Sequence, residues 1–293
     1  MTYHIDTSTL TPIPLNAIAQ YSHWPARIMG LAQWHQPNRT TDKIEKEYNK
    51  DKYARLLAYV EANPSATIAD VLDFAYGGSQ SNPILVSVKD AYFEMTAQHA
   101  YDTHIRVILE AVRNHQGDAR TLVELGCGYG INLWKLQSMS EQAADCAYIG
   151  GEFAANAVKM GNKLLESHAI RLHRFDFYDR ETYRFLADVT GPVTIYTAHA
   201  IEQIPGAQAI FDNLRAYREH IQIVVHIEPL YDLHTEPTLT DLLRRRYSEI
   251  NDYNRDLLAL VEAADDIEII TLEKDVFGYN PFNASSILAW RFK

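Results

Sequence analysis

Cysteine is scarce: Cys127 and Cys146 are the two in the chain, too few for a disulfide framework or a four-thiolate zinc site. Long apolar runs are missing, so no segment reaches membrane-spanning length. The first residues lack the basic region, apolar stretch and cleavage site of a secretion signal. The expectation from these absences is a soluble, cytoplasmic protein with no membrane partner. Positive charge is also in short supply. Lys and Arg number 27 against 38 Asp and Glu, a net charge of −11, and a phosphate backbone selects the opposite sign, so no nucleic-acid partner is expected. The one basic cluster, Arg244-Arg245-Arg246, reads as a solvated helix face. Internal repeats and low-complexity segments are absent. What is left, 47% hydrophobic residues over 293 positions, suffices for a full α/β core with several added helices.

Glycine is ordinary in number but concentrated at one place. Thr121, Leu122, Val123 and Leu125 form an apolar run that reads as a buried strand, and it ends in Gly126, Gly128 and Gly130 at alternate positions. Such a loop lets a ligand approach the backbone and delivers the chain to a helix start near Ile131 and Asn132. The dinucleotide fingerprint requires its third glycine one residue later, where Ile131 stands, and has no particular need of the carboxylate of Glu124. Cys127 fills a position that needs a small residue and reads as a spacer, not as a reactive thiol.

Glu124-x-Gly126-x-Gly128-x-Gly130 resembles the first motif of the class I S-adenosylmethionine-dependent methyltransferases. The resemblance implies that Glu124, Gly126, Cys127, Gly128 and Gly130 shape the methionine end of a cofactor site. A second strand, Ala147 to Gly151, ends in Glu152-Phe153, where a carboxylate accepts hydrogen bonds from ribose hydroxyls. A third, Arg171 to Phe175, ends in Asp176-Phe177, which resembles the family's adenine site. The fourth, Val193 to Thr197, runs into Ala198-His199-Ala200-Ile201-Glu202-Gln203-Ile204-Pro205, similar to the segment after the fourth strand in many of these enzymes. The fifth, Ile221 to Ile227, ends at Glu228-Pro229. Two further runs, Ile267 to Leu272 and Ser286 to Phe292, joined through Phe277-Gly278-Tyr279-Asn280-Pro281, read as an antiparallel hairpin. The expected fold is α/β: a seven-stranded, mostly parallel, doubly wound sheet with a C-terminal antiparallel hairpin, plus a helical N-terminal segment. The methyltransferase domain is expected over 101–293, with a helical insert at about 233–266. One apolar face of that insert, Leu239, Leu243, Tyr247, Ile250, Leu257 and Val261, spans Thr238 to Ala264.

Residues 1–100 have no comparable anchor. Pro12, Pro14, Pro25 and Pro37 suggest an irregular arm with a short helix near Leu15 to Tyr21. Helical spacing then runs from Asp42 to Asn63-Pro64, a second helix capped by Thr67 runs through Phe74 to Gly77-Gly78-Ser79, and a long helical tract is expected from Ser87 to His115, broken once near Gln98. The segment is expected either to cover the active site or to pair two copies as a homodimer. Tyr92 and Tyr101 read either as core or as pocket wall.

Methyl transfer from a sulfonium is an in-line displacement, and a base is needed only when the nucleophile carries a proton. The strand ends offer His199, Glu202, Glu228 and His226 as catalytic candidates, with Asp232 and His234 beyond them. Three readings stay open. Glu202 and Glu228 form an acidic wall for an amine or guanidinium; or His199, His226 and Glu202 hold a metal, which is the lesser expectation; or the group only shapes the pocket, with His226 a core histidine. Tyr253 and Asn254 read as wall or as helix surface. The expected activity is S-adenosylmethionine-dependent methylation of a small polar, amino-acid-derived metabolite at an amine or guanidino nitrogen. The alternatives are metal-assisted C- or O-methylation of a 2-oxo acid or hydroxylated molecule, NAD-dependent oxidoreduction, and a non-catalytic cofactor-binding subunit.

Overall fold

A computed structural model describes residues 3–35, 39–139 and 145–293; Pro37 lies outside them. The arm carries strand β1 (Thr11–Ile13) and the short helices α1 (Ile18–Tyr21) and α2 (Trp24–Ile28). A helix of three parts follows: α3 (Thr41–Ile44), a π-helical stretch over Glu45–Tyr53, and α4 (Ala54–Ala62). Then comes α5 (Ile68–Tyr76), whose start is set by a capping box. The Asp70 carboxylate accepts from Thr67 N at 2.7 Å and the Thr67 hydroxyl accepts from Asp70 N at 3.2 Å. Gly77, at φ 59°, ends it.

The expected helix over Ser87 to Thr96 is instead a hairpin, β2 (Pro83–Val88) and β3 (Ala91–Thr96), which with β1 makes a small antiparallel sheet. Val86, Tyr92 and Phe93 favour a pleated surface. The two-residue turn between the strands is Lys89-Asp90, with Lys89 at φ 52°, and lacks the glycine or asparagine that marks such turns in a sequence. Thr96 then caps α6 (Ala97–Gln116) by accepting from His99 N. A boundary at 100/101 therefore falls inside α6, and the N-terminal segment is helical and stranded in turn.

From there strands and helices alternate: β4 (Thr121–Leu125), α7 (Ile131–Ser138), β5 (Ala147–Glu152), α8 (Ala155–Leu164), β6 (Ile170–Arg174), β7 (Val193–Ala198), α9 (Gln208–Arg215), β8 (Ile221–Glu228), α10 (Leu239–Ile250), α11 (Leu257–Ala263), β9 (Ile267–Phe277) and β10 (Ser285–Phe292). The large sheet has seven strands in the order β6-β5-β4-β7-β8-β10-β9. β4 to β8 pair in parallel, and β10 lies antiparallel between β8 and β9. The expected sheet and its terminal hairpin are both present. β4 and β7 are the strands at which the order reverses, so a crevice opens at their carboxyl ends.

Alternation along the strands sends Leu122, Tyr148 and Tyr196 into one core beside α6 and α8, and Val123, Ile195 and Trp290 into a second core beside α9 and α11. A third cluster joins Ile13, Leu85 and Tyr92 of the small sheet to Leu243, Tyr247 and Ile250 of α10. Each of these aliphatic or aromatic side chains contributes about 1.5–3 kcal/mol by leaving water. The insert expected as one amphipathic tract is thus two helices, broken around Asp252 at φ 53°, one packed on the N-terminal segment and one on the large sheet.

The expectation that Arg244 lies on a solvated face is overturned: it is 1% exposed. Its guanidinium pairs with Asp275 Oδ2 at 2.6 Å and Asp90 Oδ1 at 3.1 Å, and donates to Ser87 Oγ, Lys89 O and Pro281 O. A planar fork with several donors lets one side chain fasten the β2–β3 turn to the β9–β10 hairpin. Arg245 stacks on Tyr231, and Arg246 is exposed beside Glu249. No helix among the described residues is long and apolar enough to cross a membrane.

Candidate active site

β4 ends at Leu125 and the chain turns through Gly126, Gly128 and Gly130 at φ 83°, 56° and 85° into α7. Gly126 N and Cys127 N donate to Gly151 O at 2.7 and 3.1 Å, which locks the loop onto the end of β5. At Gly128 an added Cβ would stand 2.6 Å from the Tyr53 hydroxyl. Beneath the loop Glu124 is 1% exposed; it accepts from Asn132 Nδ2 at 2.6 Å and from the Tyr196 hydroxyl at 3.1 Å, and burial pushes its pKa up to about 8. Glu124 does not line the cleft above. It fixes Asn132, which does.

That cleft, about 390 Å³, is floored by Gly126, Cys127, Gly128 and Ala198 and walled by Glu152, Phe153, Asp176 and Phe177. Gly130 lies behind it, packed on Leu165 and Leu172. Glu152, at the tip of β5, accepts from Gly128 N at 2.8 Å and Ala154 N at 2.7 Å. Burial raises its pKa, and the two amides and Lys52 oppose the rise. Asp176 accepts from Tyr178 N at 2.9 Å, while Phe177 meets Phe175 edge-on at 5.1 Å. All of the cofactor residues expected from the sequence gather at this one place, with Glu124 and Gly130 as supports behind the cleft lining.

The residues of the roof carry no mark in the sequence, where the segment is expected either to cover the site or to pair two copies. Thr41, Ile44, Tyr48, Lys52 and Tyr53 of the first long helix reach across the cleft. Ile44, Tyr48 and Lys52 recur at i, i+4, so this side of the helix faces the cleft, with Tyr48 and Lys52 on a π-helical stretch of a kind common at functional sites.

At the other end of the cleft β7 finishes at Ala198, and the next residue, His199, holds φ 51°. The cause is Glu228 at the tip of β8, whose carboxylate accepts from Ala200 N at 2.9 Å, Ile201 N at 3.1 Å and Glu202 N at 3.3 Å. Burial and Glu202 push the pKa of Glu228 up to about 7. In this turn His199 Nδ1 stands 3.0 Å from Glu202 Oε2, and Nε2 stands 2.8 Å from Ser285 Oγ. Glu202 also accepts from Gln203 Nε2 at 2.6 Å and Asn283 Nδ2 at 2.7 Å. Burial lowers the pKa of His199, but Glu202 and Glu228 more than offset it, and the net shift is upward.

His199 and Glu202 line the cleft; Glu228 and His226 do not. Glu228 is saturated by backbone amides, so the expected acidic wall of Glu202 and Glu228 is not formed. His226 lies inside β8 with Nδ1 3.0 Å from Thr197 Oγ1 and its ring 6.1 Å from Trp290, in the second core, and the His199, Glu202, His226 metal set is not assembled. Period-two alternation is the reason: β8 turns His226 and Glu228 to the same side of the sheet but at different heights. Among the described residues the one trio with donor atoms within 4.8 Å is His234, Asp241 and Asp275. There Lys274 and Arg244 already pair with the carboxylates. Asp232 is only half-buried outside the cleft. Asn254 donates to Ile204 O and Asp256, and Tyr253 supports the Arg39 guanidinium at 5.0 Å, so neither forms the wall. Tyr92 is core, its hydroxyl 3.1 Å from Thr240 Oγ1.

The chain is similar to methyltransferases of known structure. A geranyl diphosphate C-methyltransferase from Streptomyces coelicolor, in complex with Mg2+, geranyl diphosphate and S-adenosyl-L-homocysteine, is 13% identical, with 64% of this chain and 79% of that chain covered and a TM-score of 0.46. A SAM-dependent methyltransferase from Anabaena variabilis is 14% identical over 78% of this chain and 96% of that one, TM-score 0.45. The plantazolicin methyltransferase BpumL, in complex with a pentazolic desmethylPZN analog and SAH, is 10% identical over 85% of this chain and 94% of that one, TM-score 0.43. No family model and no curated protein matches the sequence.

Proposed function

We propose that this protein is an S-adenosylmethionine-dependent methyltransferase of a small molecule, with His199 as general base and Glu202 as the group that orients it. The observation that carries the reading is one cleft running from the glycine loop, past carboxylates at the tips of β5 and β6, to a buried imidazole–carboxylate pair after β7. The residues fit the cofactor: Glu152 keeps lone pairs for ribose hydroxyls, Asp176 and Phe177 suit an adenine edge and face, and Gly126 and Gly128 line the cleft with backbone alone. When bound, the cofactor supplies a methyl carbon that takes the nucleophile's electron pair as the carbon–sulfur bond breaks and its pair returns to sulfur.

The chain's own residues do the rest. Glu202 accepts the Nδ1 proton of His199 and holds one tautomer, which leaves the Nε2 lone pair facing the Ser285 hydroxyl. A substrate proton reaches that nitrogen in place of the Ser285 hydrogen bond, since Ser285 is itself fully buried and does not line the cleft. Such a base suits a nucleophile that carries its proton at neutral pH. With Glu228 withdrawn into the backbone, the geometry favours a hydroxyl or heteroaromatic nitrogen over the amine or guanidinium that an acidic wall would bind. Calorimetric titration with S-adenosylmethionine, S-adenosylhomocysteine and NAD tests the reading: the two sulfur nucleosides are expected to bind, and binding of NAD alone would overturn it.

A further inference from the structure

His199 also lines a second cavity, of about 270 Å³, and among the described residues it is the one that the two cavities share. Three tyrosines wall it: Tyr76 from α5, Tyr101 from α6 and Tyr279 from the β9–β10 turn. Tyr76 and Tyr101 meet edge-on at 5.7 Å, and the ring of His104 lies 5.3 Å from that of His199. The remaining lining residues are the carboxamides Asn280 and Asn283.

Two features of this wall point to a ligand. First, Tyr101 Oη, His104 Nδ1 and Asn283 Oδ1 are buried polar atoms without a partner among the described residues, although such atoms are nearly always paired in a folded chain. A fold gains nothing by holding three unsatisfied groups around one cavity, whereas a ligand with its own donors and acceptors satisfies them. Secondly, among the described residues no Lys, Arg, Asp or Glu lines the cavity, so neither a phosphate nor an ammonium finds a counter-charge there. Burial pushes the pKa of His104 down to about 3 and keeps that imidazole neutral.

We propose that this cavity seats the methyl acceptor, and that the acceptor is an uncharged hydroxylated aromatic ring. The inference rests on the methyltransferase reading and deepens it. Aromatic edges and faces hold a flat ring; the orphaned hydroxyl, imidazole nitrogen and amide oxygen bond to its substituents; and His199, which lines both cavities, receives the phenolic proton.

The test is binding, with the full chain saturated with S-adenosylhomocysteine so that no turnover occurs. Catechol, 4-nitrophenol and 8-hydroxyquinoline are titrated beside putrescine, arginine and pyrophosphate. At least one hydroxylated ring is expected to bind below about 1 mM, and the charged probes are not. Tyr101→Phe is expected to weaken the ring by about 5- to 10-fold while leaving S-adenosylhomocysteine affinity unchanged. Because that hydroxyl has no partner among the described residues, the same variant is expected to melt no lower than the parent when no ring is present. Binding of the charged probes instead of the rings, no ring binding alongside normal S-adenosylhomocysteine binding, or a Tyr101→Phe variant that melts lower and binds the ring as before would each overturn the inference. Failure of S-adenosylhomocysteine itself to bind would remove the methyltransferase reading beneath it.

Discussion

His199 Nδ1 and Glu202 Oε2 lie 3.0 Å apart in a turn whose backbone is held open by a second carboxylate, Glu228. Local sequence alone does not produce this pairing: three residues apart in an extended chain the two groups would not meet, and the left-handed φ of His199 is needed to bring them together. Glu202→Gln removes the charge and keeps the shape. It is expected to lower kcat roughly 10²- to 10⁴-fold and to change S-adenosylmethionine affinity by less than about 2-fold. The pH profile carries the role of the pair. Glu202 favours the protonated imidazole, so the midpoint at which kcat rises with pH should shift downward in the variant, and an unmoved midpoint would remove His199 as the base.

The Tyr53 hydroxyl and the backbone of Gly128 are close enough that no side chain fits between them. Gly128→Val places a branched group there, at a φ of 56° that such residues avoid. Cofactor affinity should fall by about 100-fold or more in calorimetry. Wild-type affinity in this variant would mean that the ligand does not pass over the loop at all.

Stability should depend on pH through buried groups of opposite sense, Glu124 with Glu228 on one side and His226 with His104 on the other. Glu124, raised to about 8, holds its proton in the folded chain over a range in which the unfolded chain has lost it, so stability falls as pH rises from near 4.5 toward 8. His226, lowered to about 3, stays neutral in the folded chain while the unfolded chain takes a proton, so stability falls as pH drops below 6.5. Urea midpoints measured from pH 4 to pH 9 are expected to peak between these limits. Glu124→Gln should make the alkaline side shallower, a gain on the order of 3 kcal/mol near pH 8, and His226→Leu the acid side, with Glu228 and His104 supplying the slope that remains. An unchanged alkaline limb in Glu124→Gln would show that Glu124 ionises without penalty.

Arg244 and Asp275 form an ion pair at 2.6 Å with both side chains 1% exposed. Arg244→Ala leaves Asp275 buried without its cation and should cost about 3–5 kcal/mol of unfolding free energy in urea titration. Arg246→Ala, at an exposed ion pair, should cost less than about 1 kcal/mol. Equal effects of the two would contradict the assignment of Arg244 to the interior.

The sequence by itself determined the sheet and its cofactor half. Alternating apolar runs and glycine spacing are local signals, and the strand tips Glu152, Asp176 and Ala198 follow from them because parallel strands bring their carboxyl ends to one edge. Tertiary structure decided the remainder. Whether Glu228 faces a substrate or three backbone amides, whether His226 points into the site or into a core beside Trp290, and whether Arg244 meets water or Asp275 depend on partners 26 or more positions distant. The roof over the cleft and the tyrosine cavity beyond His199 belong to the same class. Tyr48, Tyr53, Tyr76 and Tyr101 carry no motif, and an apolar helix face reads alike whether it covers a core or a ligand; long-range packing alone separates the two.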